Sequence, residues 1–293
     1  MKLPIRLSIT PNRLAVPALL LFLICCAANA AMSQGQAAKP QKSPAPAAPG
    51  ARVTETLIDA GISDDPAVNQ MVAVYSPKVR ELETVIGKLK GELKKGTVGA
   101  GSLGNFITDG MRAEAGLKLG KPIVLAVTNA GGMRKSVISE GDLRVRDMFE
   151  LMPFENALVA FDLTGAQVLD LLRVALSHRD AQSGARITYH LGTNNRPELD
   201  RARLLVDGQE KEIDPAATYT VICIDYLWKR RSTSPSETEG DYSVLGQGKN
   251  IQPIGLTIRD ALIQYVKHET AAGREIKSTL DGRFVEKGGA QQP

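Results

Sequence analysis

The stretch VTNAGGMRKSVISEGDLRVRDMFELMPFENALVAFDLTG, Val127 to Gly165, decides how this chain is read. An apolar run ends in Asn129-Ala130-Gly131-Gly132-Met133-Arg134, and an aromatic follows proline further on, at Pro153-Phe154. Gly131 and Gly132 let backbone amides come close to a ligand. Asn129, at a strand end, can give and accept hydrogen bonds along a heteroaromatic edge. Arg134 carries a permanent charge on a fork that suits phosphate. Phe154, held by Pro153, can present a flat face. A sandwich needs a second aromatic, and Tyr242 in Glu-Gly-Asp-Tyr is the candidate. Together these residues suggest a flat, anionic ligand.

The surroundings of that stretch supply a fold class. PIVLAVT before the glycine turn is continuously apolar, as a strand buried on both faces would be. SLGNFITDGMRAEAG reads as a helix with Ser102 as its cap. VRDMFEL reads as a short helix and ALVAFDL as a strand. Thr164-Gly165-Ala166-Gln167 has the T-x-x-Q spacing of a capping box and opens a further helix. ARITYHL and ARLLVDGQEKEI are strand-like, with Asp207-Gly208 marking a hairpin turn. TYTVICIDYLW reads as another strand, KRRSTSPSETEGD as a long loop, and LTIRDALIQYVKH as the last helix. Upstream, Asp64 or Asp65 can cap a helix that starts at Pro66. Val68, Met71, Val72, Tyr75, Val79 and Leu82 form its apolar stripe, and Pro77 should kink it. TVIGKLKGEL then alternates like a half-buried strand. Helices and strands alternate irregularly, which indicates an α+β domain of mixed β-sheet layers with flanking helices.

The chain has 293 residues and a formal charge of +4. Residues 1–30 read as a signal peptide: Lys2, Arg6 and Arg13, an apolar run, then Ala28-Asn29-Ala30. That run is short for a membrane span. Cys25 before Cys26 is a poor lipoprotein signal, so cleavage and export to the periplasm or medium is the expectation, with no membrane contact afterwards. The three basic residues leave with the signal, so the remaining charge is near +1, which argues against a nucleic-acid partner. Cys223 is then the one cysteine left, and it cannot form an intrachain disulfide. Residues 31–52, rich in Ala and Pro, read as a flexible tether. Residues 53–286 are the expected domain and 287–293 a disordered tail.

The residues for metal or nucleophilic catalysis are missing. His178, His190 and His268 lie apart, with no H-x-x-x-H pair. A dinuclear hydrolase needs several converging His, Asp and Asn ligands. There is no G-x-S-x-G elbow and no Walker loop. No catalytic residue, metal ligand or cofactor is assigned to this chain.

Four ordered segments, SLGNFITDGMR, VTNAGGMR, GDLRVRDMFELMPFENALVAFDLTGAQVLDLL and YTVICIDYL…EGDY, resemble the C-terminal domain of the 5′-nucleotidase family. LDGRF near the end is similar to that family's closing motif. The resemblance implies a substrate-binding domain in which two aromatics sandwich a nucleobase, here Phe154 and Tyr242. It gives Asn129 a contact with the base and Arg134 a contact with the nucleotide, and it counts Gly131, Gly132 and Asp241 among the binding residues. It also implies that the two catalytic metals belong to a separate metallophosphatase domain, which for this chain would be a partner chain. The departures are Ala130 in place of a glycine, GTVGAGS where the family carries Arg and Glu, and a shortened Gly240-Asp241-Tyr242 turn. They keep open a second reading, a binding or docking protein whose ligand is no longer a nucleotide.

Overall fold

The computed structural model describes residues 61–230 and 242–288, together with 55, 57 and 59. The expected signal peptide and tether, and Asp241, lie outside the described residues. The chain divides into two units, Met1–Ser63 and Asp64–Pro293. In the first, Asp59 closes a turn: its carboxylate accepts from the Gly61 amide (2.8 Å) and its carbonyl from the Ile62 amide (3.1 Å).

The second unit opens with helix α1 (Pro66–Leu82). Asp65 caps it, accepting from the Ala67 and Val68 amides, and Pro66 takes the first turn, where a missing N–H costs nothing. The helix runs on through Pro77. Its apolar stripe is not core: none of its residues is buried, and Met71 is 66% exposed.

Strands β1 (Val85–Lys90) and β2 (Leu93–Lys94) lead to helix α2 (Gly101–Leu119). Ser102 is not its cap. Ala100 occupies that position in a left-handed conformation, and the Ser102 hydroxyl instead accepts from the Lys94 amide at 2.9 Å. Then come β3 (Leu125–Thr128), β4 (Val137–Ile138), β5 (Gly141–Arg144), helix α3 (Val145–Leu151) and β6 (Ala157–Thr164). Helix α4 (Gly165–Ser177) starts at the expected capping box: the Thr164 hydroxyl accepts from the Gln167 amide, and the Gln167 side chain accepts from the Thr164 amide. Strands β7 (Ala181–Ser183), β8 (Ala185–Leu191), β9 (Pro197–Val206), β10 (Gln209–Glu212) and β11 (Thr218–Ile224) follow.

The strand read through Trp228 stops at Ile224. Residues Asp225–Arg230 form helix α5, with the Asp225 carboxylate accepting from the Ala157 amide and pairing with Lys229 one turn on. Residues 231–241, most of the expected long loop, lie outside the described residues; further on, β12 (Lys249–Thr257) precedes helix α6 (Ile258–Ala271), then β13 (Ile276–Lys277) and β14 (Phe284–Glu286). After β14 the Lys287 amide donates to the Tyr189 carbonyl (2.7 Å), and residues 289–293 lie outside the described residues.

The central sheet has five strands in the order β12-β6-β11-β3-β7. Strand β11 runs parallel to β3 and antiparallel to β6, so the sheet is mixed, as the α+β reading requires. All four residues of β3 are buried. A four-stranded sheet, β10-β9-β8-β14, and a three-stranded one, β13-β1-β5, flank it. Helices α2 and α6 pack on each other, with α2 against β3 and β7. One continuous core runs through these layers, with Leu103, Ile107, Met111, Leu125, Val127, Leu158 and Ile222 fully enclosed.

Candidate functional site

Strand β3 delivers Asn129 to the sheet's end, where the chain leaves extended geometry for a single 3₁₀ turn, Ala130–Gly132. The Gly132 and Met133 amides close it, on the carbonyls of Asn129 and Ala130 (both 3.2 Å). Met133 is buried, which anchors the turn, and the Arg134 amide donates to the Leu151 carbonyl at 2.9 Å, which ties the turn to helix α3. Neither glycine has a positive φ. A Cβ at Gly131 or Gly132 would meet the Asn129 amide group at 3.5 or 3.4 Å, an ordinary contact. These glycines are therefore not demanded by the fold.

Beneath the turn lies Asp180, 5% exposed. Its Oδ1 accepts from the Ala130 amide (2.7 Å) and its Oδ2 from the Tyr242 hydroxyl (2.7 Å). Burial pushes the Asp180 carboxyl above the usual carboxylate value; those two hydrogen bonds and the nearby His178 and Lys95 pull against it. Tyr242 is 5% exposed, with its ring 5.6 Å from that of His178. Burial and the Asp180 charge hold its hydroxyl well above the usual phenol value, so it stays a donor. Tyr242 was expected to offer a stacking face opposite Phe154; in the structure its ring is enclosed. Its ring lies in the core because its hydroxyl is needed to satisfy a buried carboxylate. Its connection to the glycine turn runs through Asp180.

Phe154 is 42% exposed, and the Arg134 guanidinium carbon lies 5.0 Å from its ring centroid, within cation–π range. The Phe154 turn is clamped from below by Arg259 of helix α6. Arg259 donates from Nη1 to the Pro153 carbonyl (3.2 Å) and from Nη2 to Glu155 Oε1 (3.2 Å). It lies 4.0 Å over the Phe149 ring, and its Nε has no acceptor. Two other buried atoms near the turn, Asn129 Oδ1 and Thr128 Oγ1, also lack partners. Asn129 Oδ1 is thus an unsatisfied acceptor enclosed at the glycine turn that also carries Arg134.

The structure thus brings Asn129, Gly131, Gly132, Arg134 and Phe154 to one end of β3. Three contributors escaped the sequence reading. Lys95 donates from Nζ to the Met133 carbonyl at 3.2 Å and sets a cation beside the turn. Asp180 and Arg259 are the others. Nothing local marks them: Arg259 lies 104 positions from Glu155, and Asp180 lies 50 from Ala130. The histidines make separate pairs, His190 with Asp200 (2.9 Å) and His268 with Glu114 (2.8 Å), while His178 Nδ1 lies 3.9 Å from Asp180. Among the described residues no three His, Cys, Asp or Glu side chains converge in a metal-holding group, and no helix is long and apolar enough to cross a membrane.

A family model described as "5'-nucleotidase, C-terminal domain" matches residues 85–233, half of the chain. The chain belongs to this family. The trifunctional nucleotide phosphoesterase YfkN of Bacillus subtilis is 29% identical over 194 residues, 63% of this chain and 12% of that protein. Protein UshA of Escherichia coli is 27% identical over 165 residues, 54% of this chain and 28% of that protein. Among solved structures, the 5′-nucleotidase precursor of Thermus thermophilus aligns with a TM-score of 0.61 at 24% identity, over 78% of this chain and 43% of that one. The chain spans less than half the length of each of these relatives. The fold is that of a 5′-nucleotidase C-terminal domain.

Proposed function

We propose that this chain binds a nucleotide or nucleoside at the end of β3 and works with a separate metal-bearing phosphatase chain after export. The observation that carries the reading is the exposed Phe154 ring under the Arg134 guanidinium, on the turn whose Asn129 Oδ1 has no partner. A base would stack on Phe154, Asn129 would accept from a base N–H, and Arg134 with Lys95 would face the phosphate. The catalytic metals and the attacking water would come from the partner. Family membership and the nucleotide phosphoesterase named among the relatives support this reading.

A second reading has a specific motive. With Tyr242 buried, that residue does not supply the second face of a sandwich opposite Phe154. A binding protein whose ligand is not a nucleotide accounts for that.

Titration calorimetry with AMP and adenosine decides between them. Phe154→Ala should weaken both ligands, since stacking on a base is worth about 1–3 kcal/mol. Arg134→Ala should weaken AMP about tenfold or more and adenosine little, because a charged hydrogen bond is worth about 1.5–3 kcal/mol. If neither ligand binds the wild type at millimolar concentration, the nucleotide reading fails and the second takes its place.

A further inference from the structure

A cleft of about 740 Å³ opens at the other end of helix α2 from the glycine turn. Gly104 of α2 packs on Ala181, whose register partner is Thr128 at the site end of β3. Arg112, two turns later, packs on Gly184 beside Val124, at the start of β3. The cleft lies there, between the C-terminal half of α2, residues 120–124 and the β9–β10 hairpin. Its volume falls within the ~300–1,000 Å³ typical of small-molecule sites.

The lining is apolar with a few polar groups. Leu117, Ile123 and Val206 supply apolar surface, and Arg112, Lys121 and Tyr265 supply donors. Hydrogen-bond accounting shows which capacity is unused. The Asp109 carboxylate is filled by the Ser183 hydroxyl (2.5 Å) and by Arg283 Nη1 (3.0 Å) and Nη2 (2.9 Å). The half-buried Arg112 donates to no described residue. Burial lowers its pKa, while the Asp109 charge opposes that shift. The Tyr265 hydroxyl, pushed up to about 12 mainly by burial, stays protonated at neutral pH. Lys121 makes one long contact, 3.3 Å to Thr220 Oγ1. Room for the guanidinium comes from Gly184: a Cβ there would fall 2.9 Å from Arg112 Nη1.

We propose that this cleft binds a small organic monocarboxylate with an aromatic or acyl body. The carboxylate would engage the Arg112 fork, with Tyr265 and Lys121 alongside, and the body would lie on Leu117, Ile123 and Val206. Guanidinium geometry matches a carboxylate with two parallel hydrogen bonds. Asp109 offers a cation little, because its charge is already paired with Arg283 and its oxygens take three hydrogen bonds. A dianion is disfavoured by Asp109 and Asp207, which also line the cleft.

The test titrates ¹⁵N-labelled protein with 2-naphthoate and with its neutral counterpart 2-naphthamide. The expected result is saturable shifting of the resonances of 112–124 and 205–207, with the amide at least about fivefold weaker, as loss of a charged hydrogen bond implies. Arg112→Gln should abolish the preference for the carboxylate. Ala113→Trp, at an exposed helix position lining the cleft, should block both probes. If Arg112→Gln does not fold, the Ala113→Trp result decides. Equal binding of the two probes, shifts confined to Pro66–Leu82, no saturation by about 10 mM, where binding is worth under about 3 kcal/mol, or naphthoate binding unchanged in Ala113→Trp would each overturn the proposal.

Discussion

Replacing Tyr242 with phenylalanine removes one hydroxyl from the core and leaves the ring. No cavity opens, so the cost falls on Asp180. That carboxylate is 5% exposed and has two donors, the Ala130 amide and the Tyr242 hydroxyl. Without the hydroxyl, Oδ2 loses its partner where water cannot replace it, and an unsatisfied buried acceptor costs about 1–3 kcal/mol. The pH dependence separates this cause from general loosening. Burial already raises the folded-state carboxyl above its ordinary value of 3.8. For an acid raised in the fold, the folded state holds the proton more tightly. Its penalty is absent below the unfolded value, sets in as pH rises through the interval up to the folded value, and is complete above it. The Tyr242 hydroxyl holds the folded value down, so Tyr242→Phe moves it further up and extends that interval. The difference between wild type and variant should therefore be small near the unfolded value and rise with pH to a plateau above the variant's folded value. At the plateau a loss of about 2 kcal/mol corresponds to roughly 4–8 °C in Tm for a domain of this size. Urea unfolding at a series of pH values measures it, and the m-value should not change. A destabilisation that stays constant between pH 4 and 7.5, or one below about 0.5 kcal/mol at pH 7, would refute the account of Asp180 as an ionised carboxylate dependent on this hydroxyl.

Gly184→Ala should be among the most disruptive single-atom changes in the chain. Gly184 has φ +111°, and its Cβ would lie 1.9 Å from the Val124 carbonyl, so urea unfolding should show a loss above about 3 kcal/mol, while a loss under about 1 kcal/mol would count against the geometry. Arg259→Met removes both clamps on the Phe154 turn and its packing over Phe149, and should cost about 1–3 kcal/mol by the same measurement. Glu155→Gln, by contrast, touches a carboxylate 80% exposed and should cost under about 1 kcal/mol. If the two variants are equally destabilised, Arg259 acts through the ion pair and not through the Pro153 carbonyl.

Short-range signals in the sequence located most of the secondary structure. The capping box works because Thr164 and Gln167 satisfy each other's amides within one turn. The buried β3 was legible as an uninterrupted apolar run, and the hairpin at Asp207-Gly208 as turn chemistry. Misreadings arose where a distant partner competes. Asp225 ends β11 and starts a helix, and its partner amide, Ala157, lies on a different strand. The stripe of helix α1 has core spacing but stays exposed, because periodicity shows that one face is apolar and not what covers it.

The sequence by itself determined that Asn129, the two glycines and Arg134 follow a buried strand, and that Phe154 follows a proline. Those are facts of order along a chain. Only the tertiary structure decided that Phe154 faces outward under Arg134 while Tyr242 faces inward on Asp180. The physical reason is hydrogen-bond satisfaction at long range. A carboxylate buried beneath the glycine turn must be given donors, and one of them is a hydroxyl from a residue 62 positions away. No local pattern marks such a debt, so Tyr242 reads in the sequence as a free aromatic and becomes in the fold a support for the turn.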